Sequence, residues 1–246
     1  MKNVEFYFWH SSFSKPKERY TMKKTLIYSL SLAIFLLVGC RDESLNPNKA
    51  WEPGVHGWGV FDGVAETGKA NIAANARNFP LTGQDAAKID FKIRWVSLDN
   101  QLTVNKIVIK VDMIESYTDP DGNPRRASLG NGGKVVKTID APAGNRQWNS
   151  FSITPAEIYN LYKDATVKYD KVKDVKVFEN PARPRPAGAR LAGARTGAAA
   201  DAFVVTWELT TSTGLVFKVW NEDSICLDPT PVSQANANCR LNFTVR

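Results

Sequence analysis

The sequence predicts an all-β fold, an antiparallel β-sandwich, and three observations carry that prediction. Apolar and polar residues alternate with period two over most of the chain after residue 85, a pattern that puts one wet face and one dry face on a strand. Antiparallel sheets with one solvated face read this way. Clusters of Gly, Pro, Asn and Ser punctuate the alternating runs as turns. A single segment carries a helix signature. Several short alternating strands in about this length fit a sandwich of immunoglobulin or fibronectin type.

The elements follow in order. Ile89, Phe91, Ile93 and Trp95 share one face of a strand, and Asp90, Lys92 and Arg94 share the other. Ile107, Ile109, Val111 and Met113 repeat the pattern. Asp119-Pro120-Asp121-Gly122-Asn123-Pro124 is a turn, expected to be solvated and to lead from a strand ending near Tyr117 to one starting near Lys134. Its Asp119, Asp121 and Asn123 imitate the first ligands of a calcium loop, but Pro124 and Gly130 stand where such a loop needs Gly and Glu. Weaker strands are expected at Val135–Ile139, Trp148–Ile153 and Val172–Phe178.

Thr154-Pro155-Ala156-Glu157 is a capping box with proline at the first helical position. Ile158, Leu161 and Tyr162 make the apolar stripe of a helix ending near Asp164. Residues 180–200 are rich in Arg, Pro, Ala and Gly, with no acid and one leucine. That composition predicts a mobile loop that adds nothing to a core. Phe203, Val205, Trp207 and Leu209 resume the alternation. Leu215, Phe217 and Val219 follow a Ser212-Thr213-Gly214 turn, and Leu241, Phe243 and Val245 close the series. The 46 residues after 200 are too few for a separate β domain, so residues 57–246 are read as one domain with a mobile loop at 180–200.

The N-terminal part sets the compartment. Met22-Lys23-Lys24 precedes 13 mostly apolar residues, Leu26 to Val38, and Leu37-Val38-Gly39-Cys40 closes them as a lipobox. Crossing a membrane takes about 20 apolar residues, more than this run supplies. Residues 1–39 are therefore read as leader and lipoprotein signal peptide, with the true start at Met22. Cys40 is the lipidation site, and residues 40–56 are a flexible tether. With Cys40 acylated, Cys226 and Cys239 remain as an even pair in an oxidising compartment and are read as a disulfide.

The sequence carries 32 Lys+Arg against 25 Asp+Glu. Residues 1–40 hold six of those bases and two of those acids. The remainder, once Arg183, Arg185, Arg190 and Arg195 of the loop are set aside, is close to neutral. Nothing in this balance suggests nucleic acid. No HExxH, GxSxG or phosphate-cradling glycine loop is present, and His56 is the one histidine after the leader, read as a surface residue. No metal site, cofactor or catalytic residue is expected, and the protein is read as no enzyme. A paired-carboxylate glycosidase stays open, because its acids follow no sequence spacing.

Aromatic residues are the candidate binding groups. Trp95 and Trp207 fall in phase with the core. Trp51, Trp58, Trp148 and Trp220 fit that phase less clearly, and Trp58, Trp148 and Trp220 are the candidate ligand-binding rings. Lys163, Lys168, Lys171, Lys173 and Lys176, interleaved with Tyr162 and Tyr169, read as a solvated face or as a contact for anionic glycan.

The segments Ile107–Ile114, Phe151–Ile158 and Asp201–Trp207, the Thr213–Phe217 turn and strand, and the terminal cysteine pair resemble small surface lipoproteins of Bacteroidota that accompany SusC/SusD-type TonB-dependent uptake systems. The Arg41-Asp42-Glu43-Ser44 flank resembles the acidic export signal of such lipoproteins, and Asp223-Ser224-Ile225 resembles their O-glycosylation acceptor. The resemblance covers roughly residues 100–246, and the Arg/Pro/Ala-rich insert departs from it. It implies an outer-membrane, lipid-anchored protein at the cell surface, with the periplasmic face as the alternative. The implied role is a non-catalytic accessory or ligand-binding component of glycan or peptide uptake, with a SusC/SusD-like complex or cell-surface glycan as partner. The alternative is a structural or adhesive surface protein without a small ligand, and a glycoside hydrolase ranks third.

Overall fold

The computed structural model describes residues 53–65, 73–195, 198–218 and 238–246, all within one compact unit, Glu52–Arg246. Cys40, Trp51, Trp220, Cys226 and the Asp223-Ser224-Ile225 motif lie outside the described residues. Among the described residues the fold is all-β with one short α-helix. The strands are β1 (Val55–Phe61), β2 (Asn78–Phe79), β3 (Ile89–Ser97), β4 (Val104–Thr118), β5 (Pro124–Ser128), β6 (Lys134–Asp140) and β7 (Trp148–Ile153). After the helix α1 (Pro155–Tyr162) come β8 (Thr166–Val167), β9 (Val175–Lys176), β10 (Ala202–Thr211), β11 (Val216–Lys218) and β12 (Leu241–Val245).

The smaller main sheet has the order β1-β3-β7 and is antiparallel. The larger has the order β2-β12-β10-β4-β5, with β11 on β10 and β6 on β4. Its ladders are antiparallel except for β2 on β12. The alternation of β3, β4 and β10 decides which side chains turn inward. Phe91, Ile93 and Trp95 from the smaller sheet and Ile107, Ile109, Phe203, Val205 and Trp207 from the larger join one hydrophobic cluster. Gly59 of β1 lies over the Trp207 ring, where an added Cβ would sit 2.4 Å from a ring carbon. Only glycine admits that approach.

α1 starts as its sequence prescribes. Thr154 accepts from the Glu157 N–H, Glu157 accepts from the Thr154 N–H at 2.8 Å, and Pro155 occupies the first turn. Ile158 and Tyr162 are its buried anchors. The Tyr162 hydroxyl donates to the Val111 carbonyl of β4 and accepts from the Lys134 N–H at 3.3 Å. Burial pushes this phenol up to about 12.

Several expectations are corrected. The Asp119 turn does not run on to Lys134. It closes a hairpin between β4 and β5, a strand of Pro-Arg-Arg-Ala-Ser with no apolar alternation to announce it. Nor is Asp119 solvated. Its carboxylate, 1% exposed, accepts from the N–H groups of Asp121 and Asn123 and pairs with Arg125 and Lys171. The Asn123 N–H, followed by Arg125 and Lys171, holds the acid at about 2 against the opposing effect of burial. The strand expected over Val172–Phe178 contracts to β9, and Val172 is 78% exposed. β11 begins at Val216, leaving Leu215 exposed. β1 begins at Val55, inside the segment read as tether.

The largest correction concerns residues 180–200. The segment has almost no regular structure, yet it is packed rather than an excursion. Leu191 is 0% exposed and belongs to the core cluster. Its N–H donates to Gln84 Oε1 at 2.9 Å, and its carbonyl accepts from Gln84 Nε2 at 2.7 Å. Arg183 pairs with buried Glu115 and donates to the Ser116 carbonyl. Arg185 and Arg195, each 7% exposed at the side chain, meet on the Asp201 carboxylate at 2.5 and 3.3 Å. Arg185 also covers the Phe178 ring at 4.1 Å. Composition hid this, because the acids that receive the arginines lie outside the segment.

Candidate functional site

The pairing register brings two of the three candidate rings together. Trp58 of β1 lies opposite Arg94 of β3, and Arg94 lies opposite Trp148 of β7. All three alternate away from the core, so they form one row across the outer face of the smaller sheet. Strands are spaced about 4.8 Å apart, which sets the tryptophan backbones about 10 Å apart across the arginine. The third ring, Trp220, lies outside the described residues.

Neither ring stands fully exposed. Trp58 and Trp148 are half-buried, and two cations of the same face lie over the Trp148 indole. Arg94 is 4.7 Å and Lys92 4.9 Å from the Trp148 ring centre. His56, next along the outer face of β1, is also half-buried rather than a surface residue. Its Nε2 is buried without a hydrogen-bond partner, and burial pushes the imidazole below its ordinary 6.5, which keeps it neutral. Trp95 and Trp207 are core residues as expected, and the Trp95 indole N–H donates to the Ala143 carbonyl at 2.7 Å.

The lysine stretch lies on the surface. Lys171 pairs with Asp119 and Asp121, Lys176 with Glu179 and Asp164, and Lys168 with Asp174. The two tyrosines turn inward instead. Tyr169 donates to Glu115 at 3.0 Å and lies 5.0 Å from the Arg183 guanidinium. Burial, then the Glu115 charge, pushes its phenol up to about 12. Lys171 takes the acids of the turn that imitates a calcium loop. Among the described residues no group of three or more His, Cys, Asp or Glu is placed to hold a metal ion. No helix among them is long and apolar enough to cross a membrane. Cys239 is buried, and Cys40 and Cys226 both lie outside the described residues.

A second feature escaped sequence reasoning. The outer face of the larger sheet holds a hollow of about 350 Å³, lined by Asp112 and Ile114 of β4, Arg126 and Ser128 of β5, Val204 and Thr206 of β10, Gly132 and Arg240. A second hollow of about 230 Å³ shares Gly132 and Thr206 with it and adds Lys110, Glu208 and Lys218. In the sequence these are ordinary wet-face positions of alternating strands. The β5 hairpin and the crossing of residues 129–133 over β4 turn them into a concavity.

No family model matches the chain, and no curated protein matches it. Among solved structures, a Bordetella pertussis protein described as ApaA is 9% identical, with 70% of this chain and 89% of that chain covered and a TM-score of 0.19. That score supports no argument about fold or function.

Proposed function

We propose that the protein is an outer-membrane lipoprotein, acylated at Cys40 and displayed at the cell surface, with a non-catalytic role as accessory or ligand-binding component of glycan or peptide uptake. The partner is a SusC/SusD-like complex. The lipobox and charged leader support the anchor, and the loose resemblance of residues 100–246 supports the uptake context. In this reading the fold is an immunoglobulin- or fibronectin-like sandwich. Two sheets, antiparallel but for β2 on β12, that contribute to one core support it. Cys226 and Cys239 form the disulfide, which closes a loop of 14 residues and contributes about 3 kcal/mol. The burial of Cys239 supports that pairing.

One observation carries the binding role, the Trp58–Arg94–Trp148 row. Aromatic rings present large, rigid area at low entropic cost, and an arginine between them adds a directional donor. Glycan-array screening of the full chain tests it. Binding that falls about tenfold or more in both Trp58→Ala and Trp148→Ala supports recognition on this face. Acylation is read separately, as incorporation of labelled fatty acid that Cys40→Ala abolishes. A structural or adhesive role is the second reading, favoured by the two cations already lying over Trp148. An array without any binding, from protein that still recovers surface partners in a membrane pull-down, selects that role.

A further inference from the structure

We propose that, given the acylation of Cys40 put forward above, the end of the domain at which the chain enters β1 is a lipid-contacting rim. Leu98, Leu215 and Val216 form it, and it rests on the membrane that holds the Cys40 acyl chains. The rim is separate from the tryptophan row and from the hollow over Thr206.

Register gathers the parts at one end. Val55, the first residue of β1, pairs with Ser97, the last of β3, and Leu98 follows at once. On the larger sheet, Thr211 at the end of β10 lies opposite Val104 at the start of β4. Gly54 lies against the Phe217 ring of β11, where an added Cβ would stand 3.9 Å away. The chain therefore enters beside the β10–β11 turn. Both loops of this end are pinned. Ser97 N–H donates to Asn145 Oδ1 at 3.0 Å, and Leu102 N–H donates to Ser97 Oγ at 3.2 Å, which fixes the loop carrying Leu98. Thr211 N–H donates to the Leu215 carbonyl at 2.9 Å, and Leu215 N–H donates to Thr211 Oγ1 at 3.1 Å. Ser212 N–H donates to the Thr103 carbonyl at 2.8 Å and ties the turn to the other loop.

Six large apolar side chains stand exposed among the described residues, and three of them, Leu98, Leu215 and Val216, each 51–55% exposed, belong to this end. The others lie apart, Leu81 in the loop after β2, Val135 on β6 and Val172 between β8 and β9. Single exposed aliphatics are ordinary, whereas a group displayed on pinned loops marks a contact. The hydrogen bonds of the 211–215 turn are made by Thr211 and by backbone, so nothing in them calls for leucine at 215, and turns favour polar residues. The length of the connection selects lipid as the occupant. From Cys40 to Pro53 the chain reaches at most about 45 Å when straight. The 15-residue β4 is about as long, about 45 Å, and leads away from this end to the Asp119 turn. The far end would meet the bilayer only with the connection pulled taut, and the entry end meets it with slack to spare. Apolar side chains held at that surface enter the headgroup boundary with a gain that scales with their area.

Fluorescence of the acylated protein, reconstituted in vesicles of phosphatidylethanolamine and phosphatidylglycerol, tests the assignment. A dansyl probe is placed at one position at a time, as Leu215→dansylalanine, Leu98→dansylalanine or Val172→dansylalanine, and the quencher is a doxyl group on the lipid acyl chains. Val172 is the control, because its neighbour Lys171 pairs with Asp119 and Asp121 at the far end of β4. Emission at 98 and 215 is expected to fall at least about twofold, and emission at 172 to hold steady. Leu215→Ser combined with Val216→Ser is expected to relieve at least about half of the quenching at 98. Protein that floats with the vesicles but shows no quenching at 98 or 215 overturns the rim and keeps the anchor, and a dimer in detergent would then give this end to a second copy. Equal quenching at all three positions overturns the rim too, since the domain then has no preferred end. So does quenching at 98 that the paired serines leave unmoved. Wild-type protein that does not float with the vesicles withdraws the anchor, and the rim with it.

Discussion

Two neighbouring stretches carry dense positive charge, five lysines between residues 163 and 176 and four arginines between 183 and 195, and the fold treats them in opposite ways. The lysines stay in water; Lys168 and Lys176 pair with exposed acids nearby, and Lys171 reaches the acids of the Asp119 turn. Three of the arginines go inside, onto Glu115 and Asp201. The difference follows from side-chain chemistry. A guanidinium is weakly hydrated, planar and rich in donors, so it tolerates burial against a carboxylate, whereas an ammonium holds its water. A buried pair is costly to break from one side and contributes little net stability, and an exposed pair is nearly neutral either way.

The sharpest way to break this contrast is Asp201→Ala. It strands Arg185 and Arg195 as buried charges without a counter-ion, and a loss of about 3–5 kcal/mol is expected in denaturant unfolding. A change below about 1 kcal/mol would show that the two arginines reach water. Next is Leu191→Ala, which empties a fully buried site in the arginine segment and is expected to cost about 2–4 kcal/mol. Were the segment a loose excursion, this substitution would leave the unfolding midpoint where it is.

The third test uses pH and falls on the lysine side. The Asp119 carboxyl, paired with Lys171, is held at about 2 in the folded chain against an ordinary 3.8. The unfolded chain therefore takes up the proton first as acid is added. Stability from the ionised group is complete above about 4 and is lost as pH falls from 3.8 toward 2. Asp119→Asn is expected to flatten the stability profile in that window. An unchanged profile would remove Asp119 from the acid response. The smallest effect belongs to Lys176→Ala, whose partners Glu179 and Asp164 are exposed, and no measurable shift in thermal midpoint is expected at physiological salt.

How much of this was legible in the sequence depends on whether the signal was local. The strands around Ile93, Ile109 and Val205 were readable, because burial on one face imposes period two. The start of α1 was readable because Thr154, Pro155 and Glu157 carry their instructions within four residues. β5 was not, since Arg125 and Arg126 owe their strand to hydrogen bonds from β4 rather than to apolar alternation. The arginine segment was misread because its partners, Gln84, Glu115 and Asp201, stand outside it. The tryptophans were picked out as residues, but their alignment across Arg94 is a property of register. The hollow over Thr206 comes from a crossing loop that leaves no mark on the strands beneath it.

The parallel pairing of β2 with β12 has a kinetic consequence. Asn78 Oδ1 accepts from the Thr244 hydroxyl at 2.8 Å across 166 positions of chain. Arg246 N–H donates to the Phe79 carbonyl at 2.8 Å. Closing so long a loop charges its entropy before the contact returns anything, and folds dominated by such distant partners mature slowly. The edge of the larger sheet is therefore expected to be among the last parts to form, leaving the outer edge of β12 open to wrong partners while the polypeptide waits for its far neighbour.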